Sequence, residues 1–169
     1  MITDTIYTEN SIRTYTGKVF DLKIMDPDSI CIEDIAHALS YTARFGGHLE
    51  KMLSVAQHSV YVTECVPEEY RLAALLHDAS EAYMGDMPSP FKKLMPDFKE
   101  IENKLMNVIA KKFGFEYPLN VKIKIADQTM LTSEWDNFVE LSRKDLEYWT
   151  PEEAKKIFLQ YFKTYSKLQ

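Results

Sequence analysis

The sequence predicts an all-α bundle of about six helices carrying a small N-terminal β-hairpin. Three observations predict it. From Ser29 onward the apolar residues recur at helical spacing. Pro and Gly fall between these periodic segments rather than inside them. Only the first 30 residues alternate loosely, with a turn signal at Thr16-Gly17 inside Ile12–Phe20.

The elements follow in order. Ile32, Ile35, Ala36, Leu39 and Ala43 mark one face of a first helix that stops before Gly46-Gly47. A second covers 52–65, with Met52, Val55, Ala56, Val62 and Val66 on its buried side, and Pro67 breaks it. A third spans 68–83 with Leu72, Leu75, Leu76 and Ala79 inward; Gly85 and Pro88 end it, and Pro88-Ser89-Pro90 forces a turn. A fourth follows Pro96, striped by Phe98, Ile101, Leu105, Val108 and Ile109, and closes at Gly114 and Pro118. The fifth runs from Val121 through Met130 to about Leu141. The last begins at Thr150, with Pro151 at the first helical position and Glu153 completing a capping box. Its apolar face is Ala154, Ile157, Phe158, Tyr161, Phe162 and Tyr165, a core stripe or a contact between two copies rather than a base-stacking platform. The expected organisation is one domain over 1–169: hairpin 1–29, helical core 30–141 and C-terminal helix 150–168.

Composition bounds the function. The 169 residues are 46% hydrophobic and 27% charged, which suits a globule with a real core. Twenty basic against 26 acidic residues give a net charge of −6, which argues against an extended nucleic-acid footprint but not against a small anionic ligand. No apolar run reaches membrane-spanning length, and the N-terminal residues carry no secretory pattern. Cys31 and Cys65 are too few for a disulfide framework and read as reduced, buried thiols of a cytoplasmic protein.

The informative segment is Leu75-Leu76-His77-Asp78-Ala79-Ser80-Glu81, where a His and an Asp stand inside an apolar pattern. Burying them unpaired costs several kcal/mol, so a partner is required, and a divalent cation is one that takes both groups as ligands. Two more polar residues sit on apolar faces: His58, with Val55 and Val62, and Asp127, with Ile123 and Met130. Two imidazoles and two carboxylates from three helices suit Mn²⁺, Co²⁺, Fe²⁺ or Zn²⁺, with positions left open. A structural His-Asp pair is the plainer alternative.

His58, His77-Asp78 and Asp127 reproduce the H…HD…D order of the HD-domain metal-dependent phosphohydrolases. The wording around them is more specific. Arg44-Phe45-Gly46-Gly47-His48, Ser54-Val55-Ala56-Gln57-His58-Ser59, Leu76-His77-Asp78-Ala79-Ser80-Glu81-Ala82-Tyr83 and Asp86-Met87-Pro88-Ser89-Pro90-Phe91-Lys92 resemble the bacterial and phage 5′-deoxynucleotidase-like branch of that superfamily over about 30–134.

The resemblance implies His58, His77, Asp78 and Asp127 as metal ligands and Glu81 as general acid/base. Spacing agrees for Glu81, which lies four residues beyond His77 and three beyond Asp78 on the expected helix. The resemblance also implies Arg44, closing the first helix, and Lys92 as phosphate clamps. It puts Asp86 against the sugar and Phe45 at a position where some relatives carry Trp. Gln57 adjoins a ligand and is either a substrate-orienting residue or a helix-surface Gln. His48 matches the pattern without an assigned role. Glu134, one heptad beyond Asp127, is either a supporting carboxylate or a solvated one.

The expected activity is removal of the 5′-phosphate from deoxyribonucleoside monophosphates. A dNTP triphosphohydrolase releasing triphosphate is the alternative within the same chemistry. A metal-bearing nucleotide sensor or adaptor without turnover is the alternative of another class.

Overall fold

In the computed structural model, residues 8–141 and 147–167 are described. Strands β1 (Ser11–Arg13) and β2 (Val19–Asp21) pair antiparallel, with Ile12 opposite Phe20. Gly17, at φ +88°, supplies the left-handed residue of the turn, as expected. Phe20 plugs the core against the Tyr83 ring, 4.3 Å away between centroids. The turn is tied down by Asp34, which accepts from the Thr16 N–H at 2.7 Å and the Thr16 hydroxyl at 2.9 Å.

Helix α1 (Ile32–Tyr41) buries Ile35, Ala36 and Leu39. It ends earlier than the sequence predicts. Thr42 is extended, and the 42–44 backbone pairs with 53–55 instead: Val55 N–H donates to the Thr42 carbonyl, and Arg44 N–H to that of Leu53. Arg44 therefore does not close the first helix. It lies in a separate 3₁₀ turn, Arg44–Gly47, where Phe45 is left-handed at φ 54°.

Helix α2 (Val55–Glu64) starts at Ser54, whose side chain caps the Gln57 N–H, and not at Met52. It is buried along its whole length apart from Tyr61 and Glu64. The cysteines are free but not buried as expected: Cys31 is half-buried ahead of α1, and Cys65 is exposed at the end of α2.

The third predicted helix is broken. A 3₁₀ turn (Glu68–Tyr70) leads into α3 (Arg71–Leu75), and α4 (Glu81–Met84) follows only after a tight coil over 76–80. His77 causes the break. Its backbone N–H and its ring Nδ1 both reach the Ala74 carbonyl, the acceptor a continuing α-helix would offer to Asp78. The chain then tightens into i→i−3 bonds, Ala79 to Leu76 and Glu81 to Asp78.

Helix α5 (Ser89–Lys92) follows Pro88, and α6 (Pro96–Phe113) ends on left-handed Gly114. Helix α7 (Val121–Glu134) is capped by Asn120 and passes into a π-helical turn, Trp135–Glu140. Helix α8 (Pro151–Tyr165) opens on the predicted capping box between Thr150 and Glu153.

Helix α8 lies across α1, α2 and α3, while α1 rests on α4 and α2 on α7. The main core gathers Phe20, Ile35, Leu39, Leu75, Leu105, Ile109 and Phe158, each worth roughly 1.5–3 kcal/mol when fully buried. A second cluster, Val62, Val66, Ala74, Ile123 and Ala126, seats α7. The aromatic face of α8 is core: Phe162 meets Phe113 edge-on at 5.4 Å, and Tyr165 packs on Arg71. No described helix is long and apolar enough to cross a membrane.

Candidate metal centre

Three elements converge where α2, the 76–80 coil and α7 meet. α2 brings His58, fully buried. The coil brings His77 and Asp78. α7 brings Asp127. One ligand atom from each of His58, His77 and Asp127 lies within 4.8 Å of the others. His58 Nε2 stands 3.1 Å from Asp127 Oδ1, and His77 Nε2 stands 3.6 Å from the same oxygen and 3.1 Å from Asp78 Oδ2.

The His77 ring fits a cation. Its Nδ1 donates to the Ala74 carbonyl at 2.7 Å, so the neutral ring carries its lone pair on Nε2. That Nε2 is buried without an aligned hydrogen bond, although two carboxylate oxygens crowd it. A lone pair facing carboxylates is relieved by a proton or by a metal ion. The electrostatics of the cluster follow from the same crowding. Burial pushes the imidazolium down, but Asp78 and Asp127 outweigh it and raise His77 well above its usual range. Burial likewise pushes Asp127 up, and His58 and His77 more than reverse it. The Asp127 side chain is 42% exposed, so the cluster opens to solvent on that side.

Behind the cluster, Glu134 is 2% exposed and fully engaged. Its Oε1 lies 2.7 Å from His58 Nδ1, and its Oε2 accepts from Arg44 Nε at 2.8 Å and pairs with Nη2 at 2.8 Å. The heptad spacing therefore marked a supporting carboxylate and not a solvated one.

On the other flank stands Glu81, 5% exposed. Lys92 Nζ is 3.2 Å from its Oε1, and its Oε2 is buried without a hydrogen-bond partner. Desolvation, followed by the charges of Asp78 and Asp86, raises the Glu81 carboxyl well above its usual range despite Lys92. Glu102 of α6 holds the same ammonium at 2.8 Å, a contact that no sequence signal marked. Asp86 is raised by burial and by Asp78, against the pull of Arg44, Lys92 and His58, which places it in the same electrostatic neighbourhood.

Phe45 is half-buried under the Arg44 guanidinium, 5.6 Å from its ring centre. Its neighbour is Trp135 in the π-turn, 6.2 Å away between centroids and 47% exposed. Nothing in the sequence singled out Trp135. Gln57 departs from expectation. It is completely buried, donates to Tyr61 Oη (2.8 Å) and the Glu147 carbonyl (2.9 Å), and accepts from Trp149 N–H (3.1 Å). Those bonds tie the approach to α8 onto α2 and leave no face for a substrate.

Comparison with known proteins agrees with this geometry. The family model described as 5′-deoxynucleotidase YfbR-like matches residues 46–142, which include every cluster residue named above except Arg44 and Phe45. The chain belongs to the YfbR-like 5′-deoxynucleotidase family. It is 45% identical over 123 residues to the uncharacterized protein YfdR of Escherichia coli (strain K12), covering 73% of this chain and 69% of that protein. It is 38% identical over 124 residues to an uncharacterized protein of Rhodobacter capsulatus, covering 68% of this chain and 63% of the relative. Family membership makes the chain an HD-superfamily hydrolase whose fold binds divalent metal and a small nucleotide. The hairpin and α8 fall outside the matched segment.

Proposed function

We propose that the protein hydrolyses deoxyribonucleoside 5′-monophosphates to nucleoside and orthophosphate. The observation that carries this reading is the buried, unpartnered His77 Nε2 within a His58–His77–Asp127 cluster, flanked by a buried carboxyl at Glu81. His58, His77, Asp78 and Asp127 are the residues to hold a divalent transition metal, one of Mn²⁺, Co²⁺, Fe²⁺ or Zn²⁺. When bound, such an ion lowers the pKa of water and polarises the phosphoryl group.

The chain's own residues supply the rest. Glu81, whose carboxyl is raised by burial, gives a proton to the 5′-oxygen as the P–O bond breaks. Lys92, close to Glu81, offsets charge on the phosphoryl oxygens. Arg44 offers the guanidinium edge that Glu134 leaves free. Asp86 accepts from the sugar hydroxyl. Phe45, with Trp135 beside it, gives an aromatic surface for sugar and base. Water adds to phosphorus, its proton passes back to Glu81 to restore the acid, and no covalent enzyme intermediate is required.

Phosphorus NMR of a panel of ribo- and deoxynucleoside mono- and triphosphates, run with Mn²⁺ and Co²⁺, tests the reading. Orthophosphate from deoxymonophosphates is expected. Inorganic tripolyphosphate from dNTPs would replace the proposal with the triphosphohydrolase. Tight nucleotide binding without turnover would replace it with a sensor.

A further inference from the structure

We infer that Glu134 is a positioning residue that holds the metal site and the phosphate clamp in one register. The inference rests on the reading of His58 as a metal ligand and Arg44 as an anion clamp. Each oxygen of this buried carboxylate has its own task, Oε1 with His58 Nδ1 at 2.7 Å and Oε2 with two Arg44 nitrogens at 2.8 Å. With Oε2 held by Arg44, Glu134 presents Oε1 to His58, and an acceptor there draws the ring proton to Nδ1. That choice turns the Nε2 lone pair toward Asp127 and His77. A hydrogen bond to the non-ligating ring nitrogen fixes both the tautomer and the ring orientation of a ligating histidine.

Arg44 stands on a 3₁₀ turn immediately before a left-handed step, not on a rigid helix, and its side chain is buried. Of its charged contacts among the described residues, only Glu134 is within salt-bridge distance, so this carboxylate aims the guanidinium. One side chain from α7 thus fixes the distance between the histidine that holds a cation and the arginine that meets an anion.

The test is binding, not turnover. Chelator-stripped protein is titrated with Mn²⁺ by calorimetry, and the metal-loaded protein is then titrated with inorganic phosphate. Glu134→Ala is expected to weaken Mn²⁺ binding about 10- to 100-fold, the usual cost of losing such a partner. Glu134→Gln keeps an acceptor for His58 but faces Arg44 with an amide. It is expected to restore Mn²⁺ affinity to within a few-fold while phosphate binding stays weak. A structural role alone lowers the melting temperature without this split.

A folded Glu134→Ala protein that binds Mn²⁺ within twofold of wild type overturns the inference, as does a Glu134→Gln protein with unchanged phosphate affinity. If the alanine variant does not fold, the glutamine variant decides alone by the same split. Wild type that binds Mn²⁺ normally but hydrolyses no deoxymonophosphate defeats the proposed function and leaves Glu134 in place. Hydrolysis by wild type with unaltered metal and phosphate binding in both variants does the reverse.

Discussion

Glu81 and His77 occupy the same short segment, yet physics gives them different tasks. Glu81 has one oxygen against Lys92 and one against nothing, in a buried setting that raises its carboxyl. Glu81→Gln is expected to retain metal content and lose about 10²–10⁴-fold in kcat, measured on metal-analysed protein. His77→Ala removes the atom that crowded carboxylates surround, and both metal content and activity should fall together. Equal metal loss in the two variants would cancel the division of roles. Glu81 was legible through the family resemblance and its spacing from His77 and Asp78, and His77 as a polar group at an inward position of an apolar pattern. His58 and Asp127 were found in that way, and Glu134 by its spacing from Asp127. Gln57 was misread because adjacency to a ligand is a sequence property. Its partners, the 147–149 backbone and Tyr61, depend on where α8 folds back.

At the level of elements, the predicted order holds and the predicted continuity does not. The apolar periodicity of 68–83 describes one buried face. It is blind to His77 taking the Ala74 carbonyl and breaking the helix there. Nor does the local pattern record that 42–44 trades helical bonds for pairing with 53–55, a contact between distant positions. Capping signals, by contrast, are local and were read correctly at Thr150. Beside Phe20 in the core, the hairpin is attached through one ionised group, Asp34. Burial pushes the Asp34 carboxyl up, but the Cys31 thiol at 2.9 Å and the Thr16 N–H and hydroxyl more than reverse it, so its folded pKa is lowered. A depressed carboxyl contributes stability that is complete above its unfolded value, about 3.9, and is lost as pH falls through the folded value. The melting-temperature gap between wild type and Asp34→Asn should therefore be widest near neutrality and close in acid below about pH 4. A gap that widens on acidification would contradict the assignment.

Across the whole molecule, two apolar clusters hold α8 on one side and α7 on the other, with the metal centre between α2, α7 and the coil. Asp78 and Asp127 oppose each other electrostatically, which favours a cation that joins the elements they come from. An ion that binds only the folded state stabilises it by mass action, about 2.7 kcal/mol when its concentration is a hundred times its dissociation constant. Mn²⁺ is thus expected to raise the melting temperature of chelator-treated wild type, and to leave that of His77→Ala unmoved. An equal rise in both would place the ion elsewhere.

Gln57 and His58 are consecutive on α2, one committed to the backbone that leads into α8 and the other to the cluster. During synthesis the residues that satisfy Gln57 leave the ribosome long after α2 does. The buried end of α2 beside the first imidazole is therefore completed by chain about 90 residues further on, so the tail closes the face on which that imidazole stands.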